Sequence, residues 1–194
     1  MKLSEQRLLQ KKEQILVSAI KAVNEYGYEQ ATMEQIAAKL LMTKSALYYY
    51  FKNKQDLLFQ CHSFVLSKGL VHLSTIAQQA IGPEQKLNEL VDAHIHYVIE
   101  ERDFFQLILD PNKTFEEEHL QSMLALRKQY ATIFDEVIAQ GMMEDVFHVT
   151  DPFIARMSIF GAMNWIQQWY RADGKLTKHE IQQRFKEIIL KLLK

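Results

Sequence analysis

The sequence predicts an all-helical protein, and three observations carry that expectation. Apolar residues recur at i, i+3, i+4 and i+7 through successive segments, no strand-like alternation follows Pro83, and the segments are punctuated by Gly-Pro, Asp-Pro and Asp-Gly pairs. At 194 residues the chain can bury a real core without covalent staples, as one large domain or two small ones. The pattern places a domain of short helices over residues 1–52 and a helical bundle over residues 53–194.

The first helix is expected from about Glu5 to Tyr26, with Ile15, Ala19, Ala22, Val23 and Tyr26 on its inner face and Gly27 suited to its C-cap. Next comes Thr32-Met33-Glu34-Gln35, a capping box in which Thr32 accepts from the backbone near Gln35 and Gln35 reaches back. Met33, Ile36, Ala37 and Leu40 then give a helix of about two turns one buried side. Only Leu41 and Met42 separate it from a second N-cap, Thr43, so the two helices must turn sharply against each other. Two short helices joined this way form a helix-turn-helix, whose second member is placed for the major groove of DNA.

The second helix is written in Thr43-Lys-Ser-Ala-Leu-Tyr-Tyr-Tyr-Phe-Lys-Asn-Lys54. At helical spacing Ala46, Leu47, Tyr50 and Phe51 share a packing face, while Lys44, Ser45, Tyr48 and Tyr49 share the opposite face, free to touch phosphates and base edges.

Residues of about 12 to 58 resemble the DNA-binding domain of the TetR family of bacterial transcriptional regulators. The resemblance runs in order through Ile15-Leu16, Ala19, Tyr26-Gly27-Tyr28, Thr32-Met33, Ile36-Ala37, Lys44, Ala46-Leu47-Tyr48, Phe51-Lys52, Lys54 and Leu57-Leu58. It implies DNA contacts at Thr43, Lys44, Ser45, Tyr48 and Tyr49, with Thr32 and Lys54 touching the backbone from neighbouring helix ends. Most of these contacts would set register on phosphate and few would read bases. Two positions depart from the family pattern. Leu41 stands where glycine is usual, and a left-handed turn there strains a leucine by roughly 1 to 2 kcal/mol. Ser45 also replaces a common glycine and adds a hydroxyl to the DNA-facing side.

Composition sets the surroundings. Cys61 is the single cysteine, which excludes an intramolecular disulfide framework and suits a reducing cytoplasm; burial as a small apolar group is its expected role. The amino-terminal stretch is polar and basic, and no segment has the length of a membrane span, so a cytoplasmic protein without membrane contact is expected. Net charge is −1, unevenly spread: residues 1–60 hold nine Lys/Arg against six Asp/Glu, and residues 61–194 hold fourteen against eighteen. So small a basic excess gives weak nonspecific affinity, and specific binding would rely on a dimer doubling the phosphate contacts.

A long fourth helix is expected to open at Asn53, with Asp56 in its first turn, to carry Leu57, Cys61, Phe64, Val65 and His72, and to stop at Gly82-Pro83. Further helices are expected over about 84 to 101, 103 to 109, 116 to 140, 151 to 171 and 177 to 193, broken at Asp110-Pro111-Asn112, Gly141, Asp151-Pro152 and Asp173-Gly174. The last two mix small residues, Ala155, Ser158, Gly161 and Ala162, with Phe153, Met157, Phe160 and Trp165, then add Ile181, Phe185, Ile188, Ile189 and Leu192. The family resemblance implies that these helices pair with their copies in a homodimer, and Phe153, Gly161, Ile181, Phe185, Ile188 and Ile189 are the expected interface.

Enzymatic readings find little support. Glu116 and His119 make one Glu-x-x-His pair where a di-iron bundle needs two, His94 and His96 point to different sides of a helix, and glycine-rich phosphate loops, nucleophile elbows and metalloprotease motifs are missing. No cofactor or metal is therefore expected. The fold resemblance implies instead a small-molecule pocket in the bundle, for which Tyr97, Phe105, Tyr130, Met157, Phe160 and Trp165 are candidate apolar walls and Arg127 a polar contact. Gly161-Ala-Met-Asn164-Trp165 through Trp169-Tyr170, with Asp173-Gly174-Lys-Leu176-Thr177 and Ile181, resembles the family's acyl-CoA-responsive branch. Asn164 inside an apolar helix would need a polar partner, which a ligand or dimer mate could supply. The combined expectation is a homodimeric repressor released from a palindromic double-stranded operator by a small apolar effector, with a long-chain acyl-CoA the first specific choice. A regulator sensing an unrelated drug or aromatic metabolite is the nearest alternative, and a helical module without DNA function the next.

Overall fold

The computed structural model describes residues 3–26, 30–100 and 115–194. The helix expected over about 103 to 109, the break at Asp110-Pro111-Asn112, the cap Gly27 and the candidate pocket residue Phe105 lie outside them. Among the described residues there are eight helices: α1 Leu3–Tyr26, α2 Met33–Lys39, α3 Lys44–Tyr50, α4 Lys54–Ala77, α5 Pro83–Glu100, α6 Glu117–Met143, α7 Pro152–Trp169 and α8 Lys178–Leu193. The all-helical class is as expected. The described chain forms two compact units, one holding residues up to Val65 with residues 115–123, the other holding Leu66 to 100 with Leu124 to Lys194.

In the first unit α1 packs on α2 and α2 on α3. Burial is continuous across them: Ile15, Leu16, Ala19, Ile20, Ala22 and Val23 from α1, Met33, Ile36 and Ala37 from α2, Leu47 from α3, then Phe51. Thr32 makes the capping box, its hydroxyl accepting from Gln35 N at 3.2 Å while Gln35 Oε1 accepts from Thr32 N at 2.8 Å. Thr43 caps α3 by accepting from Ala46 N at 3.1 Å. Asn53 does the same for α4 through Asp56 N at 2.8 Å. Each expected start is thus held by a side-chain oxygen on an orphan amide.

Leu41 ends α2 in the left-handed region, with φ 53°. Met42 N donates to Ala37 O at 2.9 Å and Leu41 N to Ala38 O at 3.0 Å, the paired bonds of a Schellman stop whose left-handed position glycine usually fills. The leucine side chain is 96% exposed and gains nothing from packing. Leu41→Gly is therefore expected to raise unfolding stability by about 1 kcal/mol, the removed strain exceeding the entropy glycine loses on folding. Chemical denaturation checks it, and a loss of stability would remove the strain argument.

In the second unit α5 packs against α7 and α8, and α7 against α8. Its core is built from Leu87, Leu90, Val91, Ile95 and Val98 of α5, Ile133, Phe134, Val137 and Ile138 of α6, Ile159, Met163 and Ile166 of α7, and Ile181, Ile189 and Leu193 of α8. Polar ties fix the α5–α8 register: Lys186 to Asp92 at 2.8 Å, Lys178 to Glu100 at 2.6 Å, and the Gln182 amide to Asp92 O at 2.9 Å.

Two helix ends differ from expectation. Helix α4 closes at Ala77, before Gly82-Pro83. Gly141 breaks nothing, because α6 runs through it to Met143 and stops at Asp145, whose φ is 58°. Asp145 N donates to Met142 O at 3.2 Å and Val146 N to Gly141 O at 2.8 Å, a second Schellman stop in which aspartate takes the left-handed place. Gly141 instead makes room for Phe147, which is buried.

Candidate DNA-reading face and buried polar cluster

Helix α3 is held by Leu47 and Phe51, both fully buried, so its opposite face is fixed outward. Lys44, Ser45, Tyr48 and Tyr49 are exposed there, Tyr49 at 77%, and Thr32 and Thr43 are exposed at the two N-caps. Lys54 is half-buried at the start of α4. Lys44 Nζ lies 5.8 Å from the centre of the Tyr48 ring, and Tyr49 meets Tyr50 edge-to-face at 5.2 Å. A cation laid along an aromatic beside free hydroxyls offers what phosphate oxygens and base edges accept.

Lys44 is not idle in the free protein. Its ammonium pairs with the Glu34 carboxylate at the first turn of α2. That hydrogen bond holds the Glu34 carboxyl below its ordinary range and the Lys44 ammonium above its own. In the sequence Glu34 is only an inner position of the Thr32–Gln35 capping box, and the sharp turn of α3 against α2 is what brings it to Lys44.

The second unit buries polar groups in an aromatic setting. His94 Nδ1 lies 3.0 Å from the Tyr130 hydroxyl and its Nε2 3.0 Å from Asn164 Oδ1. With an amide oxygen on Nε2, that nitrogen carries the proton, and Nδ1 accepts from Tyr130. Phe160 stacks on the imidazole at 5.2 Å, and Phe134 meets Phe160 edge-to-face at 4.8 Å. Burial pushes the His94 pKa down to about 4 and the Tyr130 phenol up. One turn along α5, Tyr97 bonds His72 Nδ1 of α4 at 3.1 Å. Gly69 of α4 admits both tyrosines: a Cβ there would lie 3.3 Å from Tyr130 and 3.7 Å from Tyr97.

Of the expected pocket residues, Tyr97, Tyr130, Phe160 and Asn164 are thus brought together. Arg127 is part-buried on α6, and desolvation lowers its pKa. Met157 and Trp165 belong elsewhere, since both point outward on α7, Trp165 at 65% exposure. The expected interface residues divide too. Phe153, Gly161 and Ile188 are exposed and Phe185 is half-buried, whereas Ile181 and Ile189 are buried within the chain itself, on a helix that packs against α5 and α7. Trp165, Met157, Trp169 and Leu192 join the exposed set.

A capped two-helix reader followed by a helical domain that keeps aromatic and polar groups inside is the architecture of a DNA-binding regulator. Residues 15–61 match the profile described as bacterial regulatory proteins of the tetR family, and residues 80–193 match the tetracyclin repressor-like C-terminal domain. The chain belongs to the TetR family of transcriptional regulators, a non-enzymatic family whose members bind operator DNA and small effectors. It is similar to the fatty acid metabolism regulator protein of Bacillus subtilis (strain 168), with 22% identity over 164 residues and 84% of each chain covered. PfmR from Thermus thermophilus superposes with a TM-score of 0.81 at 29% identity, over 91% of this chain and 97% of that one. AibR, solved in complex with isovaleryl coenzyme A and operator DNA, gives a TM-score of 0.80 at 25% identity, over 94% and 97%. Among the described residues no helix is long and apolar enough to cross a membrane.

Proposed function

We propose that this protein is a homodimeric repressor that places α3 in the major groove of a palindromic operator and leaves it when an acyl-CoA enters the helical domain. The observation that carries the reading is the outward face of α3, where Lys44, Ser45, Tyr48 and Tyr49 stand clear while Leu47 and Phe51 hold the helix down. Thr32, Thr43 and Lys54 would add backbone contacts at helix ends.

The dimer rests on the exposed stripe of Phe153, Met157, Trp165 and Ile188, too apolar for one side of a lone monomer. Gly161 lies among them with open space where a Cβ would stand, which suits a helix from a second copy. The effector reading rests on the aromatic set around His94, on the similarity to a fatty acid metabolism regulator and on AibR's isovaleryl coenzyme A. An acyl chain buried among those rings stabilises by about 0.8 kcal/mol per methylene, so affinity should rise with chain length. Helix α4 contributes residues to both units, and a ligand that favours one of its positions would favour one spacing of the two readers. The same rings would also accept an aromatic drug or metabolite, which is the second reading.

Selection of bound sequences from genomic DNA tests the first part, followed by titration of the recovered complex with free fatty acid, CoA and acyl-CoA. Lys44→Ala is expected to weaken operator binding about tenfold. A recovered site without two-fold symmetry would remove the dimeric reading. Release only by an aromatic compound would favour the second reading over acyl-CoA.

A further inference from the structure

We infer that Glu34 is a specificity-determining residue: its ion pair with Lys44 suppresses binding to DNA that offers only phosphates. The inference rests on the placement of α3 on DNA proposed above.

Glu34 lies in the first turn of α2, Lys44 is the first residue of α3, and both side chains are about half exposed, so the pair sits on the surface that would meet DNA. It presents a cationic donor and an anionic acceptor side by side. A phosphate is anionic and carries acceptors only. To reach one, Lys44 must either leave Glu34 or bring the carboxylate up against the phosphate, and both oppose binding. A base-pair edge in the major groove is different. G·C sets the O6 and N7 acceptors of guanine beside the N4 donor of cytosine, and A·T sets the N6 donor of adenine beside the O4 acceptor of thymine. Either edge can engage donor and acceptor together, so the pair costs least where α3 is seated deeply enough to read bases.

The α2 capping box does not compete with this assignment, because Thr32 and Gln35 make it between them while the Glu34 carboxylate is turned to Lys44. A second pair of the same kind, Lys39 with Glu25 at 2.5 Å, removes another cation from the first unit, in keeping with its small basic excess.

The test is equilibrium binding of the wild type, Glu34→Gln, Lys44→Ala and the double variant to the selected operator and to a shuffled duplex of equal length, across a salt series. Glu34→Gln is expected to tighten binding to the shuffled duplex about three- to fivefold, the upper part of the range an exposed pair spans, while operator affinity stays level or falls. The salt slope on the shuffled duplex should steepen by about one as Lys44 becomes free to displace a counterion. In the Lys44→Ala background the same change removes only a carboxylate that repels phosphate, so any tightening should be alike on both duplexes and the selective gain on the shuffled one should vanish. Equal tightening on both duplexes, or none on the shuffled one while Lys44→Ala still weakens the operator, would overturn the role of Glu34 and leave α3 on DNA. If Lys44→Ala changes neither duplex, the placement of α3 fails, and the inference fails with it.

Discussion

Gly141→Ala should destabilise the protein by about 2 to 4 kcal/mol, although alanine is normally the better helix former. Position 141 is inside α6, where replacing glycine by alanine ordinarily gains about 0.5 to 1 kcal/mol. Here a Cβ would stand 2.0 Å from Phe147 Cδ2 and 2.4 Å from Cε2, closer than any two carbons can pack. The ring cannot step aside cheaply. It is buried, its own amide donates to Gly141 O at 3.1 Å, and the next amide, of His148, donates to Leu193 O at 2.7 Å. Either the ring leaves the core or the helix end comes apart. Urea denaturation of Gly141→Ala, Phe147→Ala and the pair would show it, since with the ring removed the alanine should become neutral or favourable and the coupling should be large. Additive effects would end the argument.

That glycine also shows what a sequence can and cannot announce. Helix starts were legible because a cap is local chemistry: Thr32, Thr43, Asn53, Asp151 and Thr177 each accept from an amide three residues on, as their spacing required. Helix stops were less so. Leu41 and Asp145 end helices in the left-handed region without glycine, whereas Gly141 sits inside one for a ring six positions away. The packing of α3 could be read from its two faces. On α8, by contrast, Ile188 and Ile189 are neighbours with opposite fates, exposed and buried, and periodicity alone does not say which neighbour the core takes. His94 was legible in part, as it continues the buried row of Leu87, Leu90 and Val91 on α5. Its partners Tyr130 and Asn164 lie 36 and 70 residues away, and no local pattern brings three helices together.

The buried histidines should make the fold acid-sensitive well before its carboxylates titrate. His94 and His62 are both buried, and burial pushes each pKa from 6.5 down to about 4. Between those values the unfolded chain binds the proton that the folded one refuses, so stability is full above pH 6.5 and falls as pH drops through the window, levelling below about 4. A shift of this size corresponds to about 3 kcal/mol for one histidine over the whole window. Glu34, Glu100 and Glu180, whose pKa values are lowered in the folded state, add their own loss only as pH falls below their ordinary 4.5. Between pH 6.5 and about 5 the slope therefore belongs to histidine and should approach two protons taken up on unfolding. His94→Gln should remove one of them. Its shorter reach weakens the bonds to Tyr130 and Asn164, so the variant starts lower at neutral pH by about 1 to 2 kcal/mol but is spared the loss of about 3 kcal/mol on acidification, and the two stability curves converge and then cross. Urea midpoints at several pH values would decide it: a wild-type curve flat from pH 7 to 5, or a His94→Gln curve parallel to it, would show that His94 takes up its proton without unfolding.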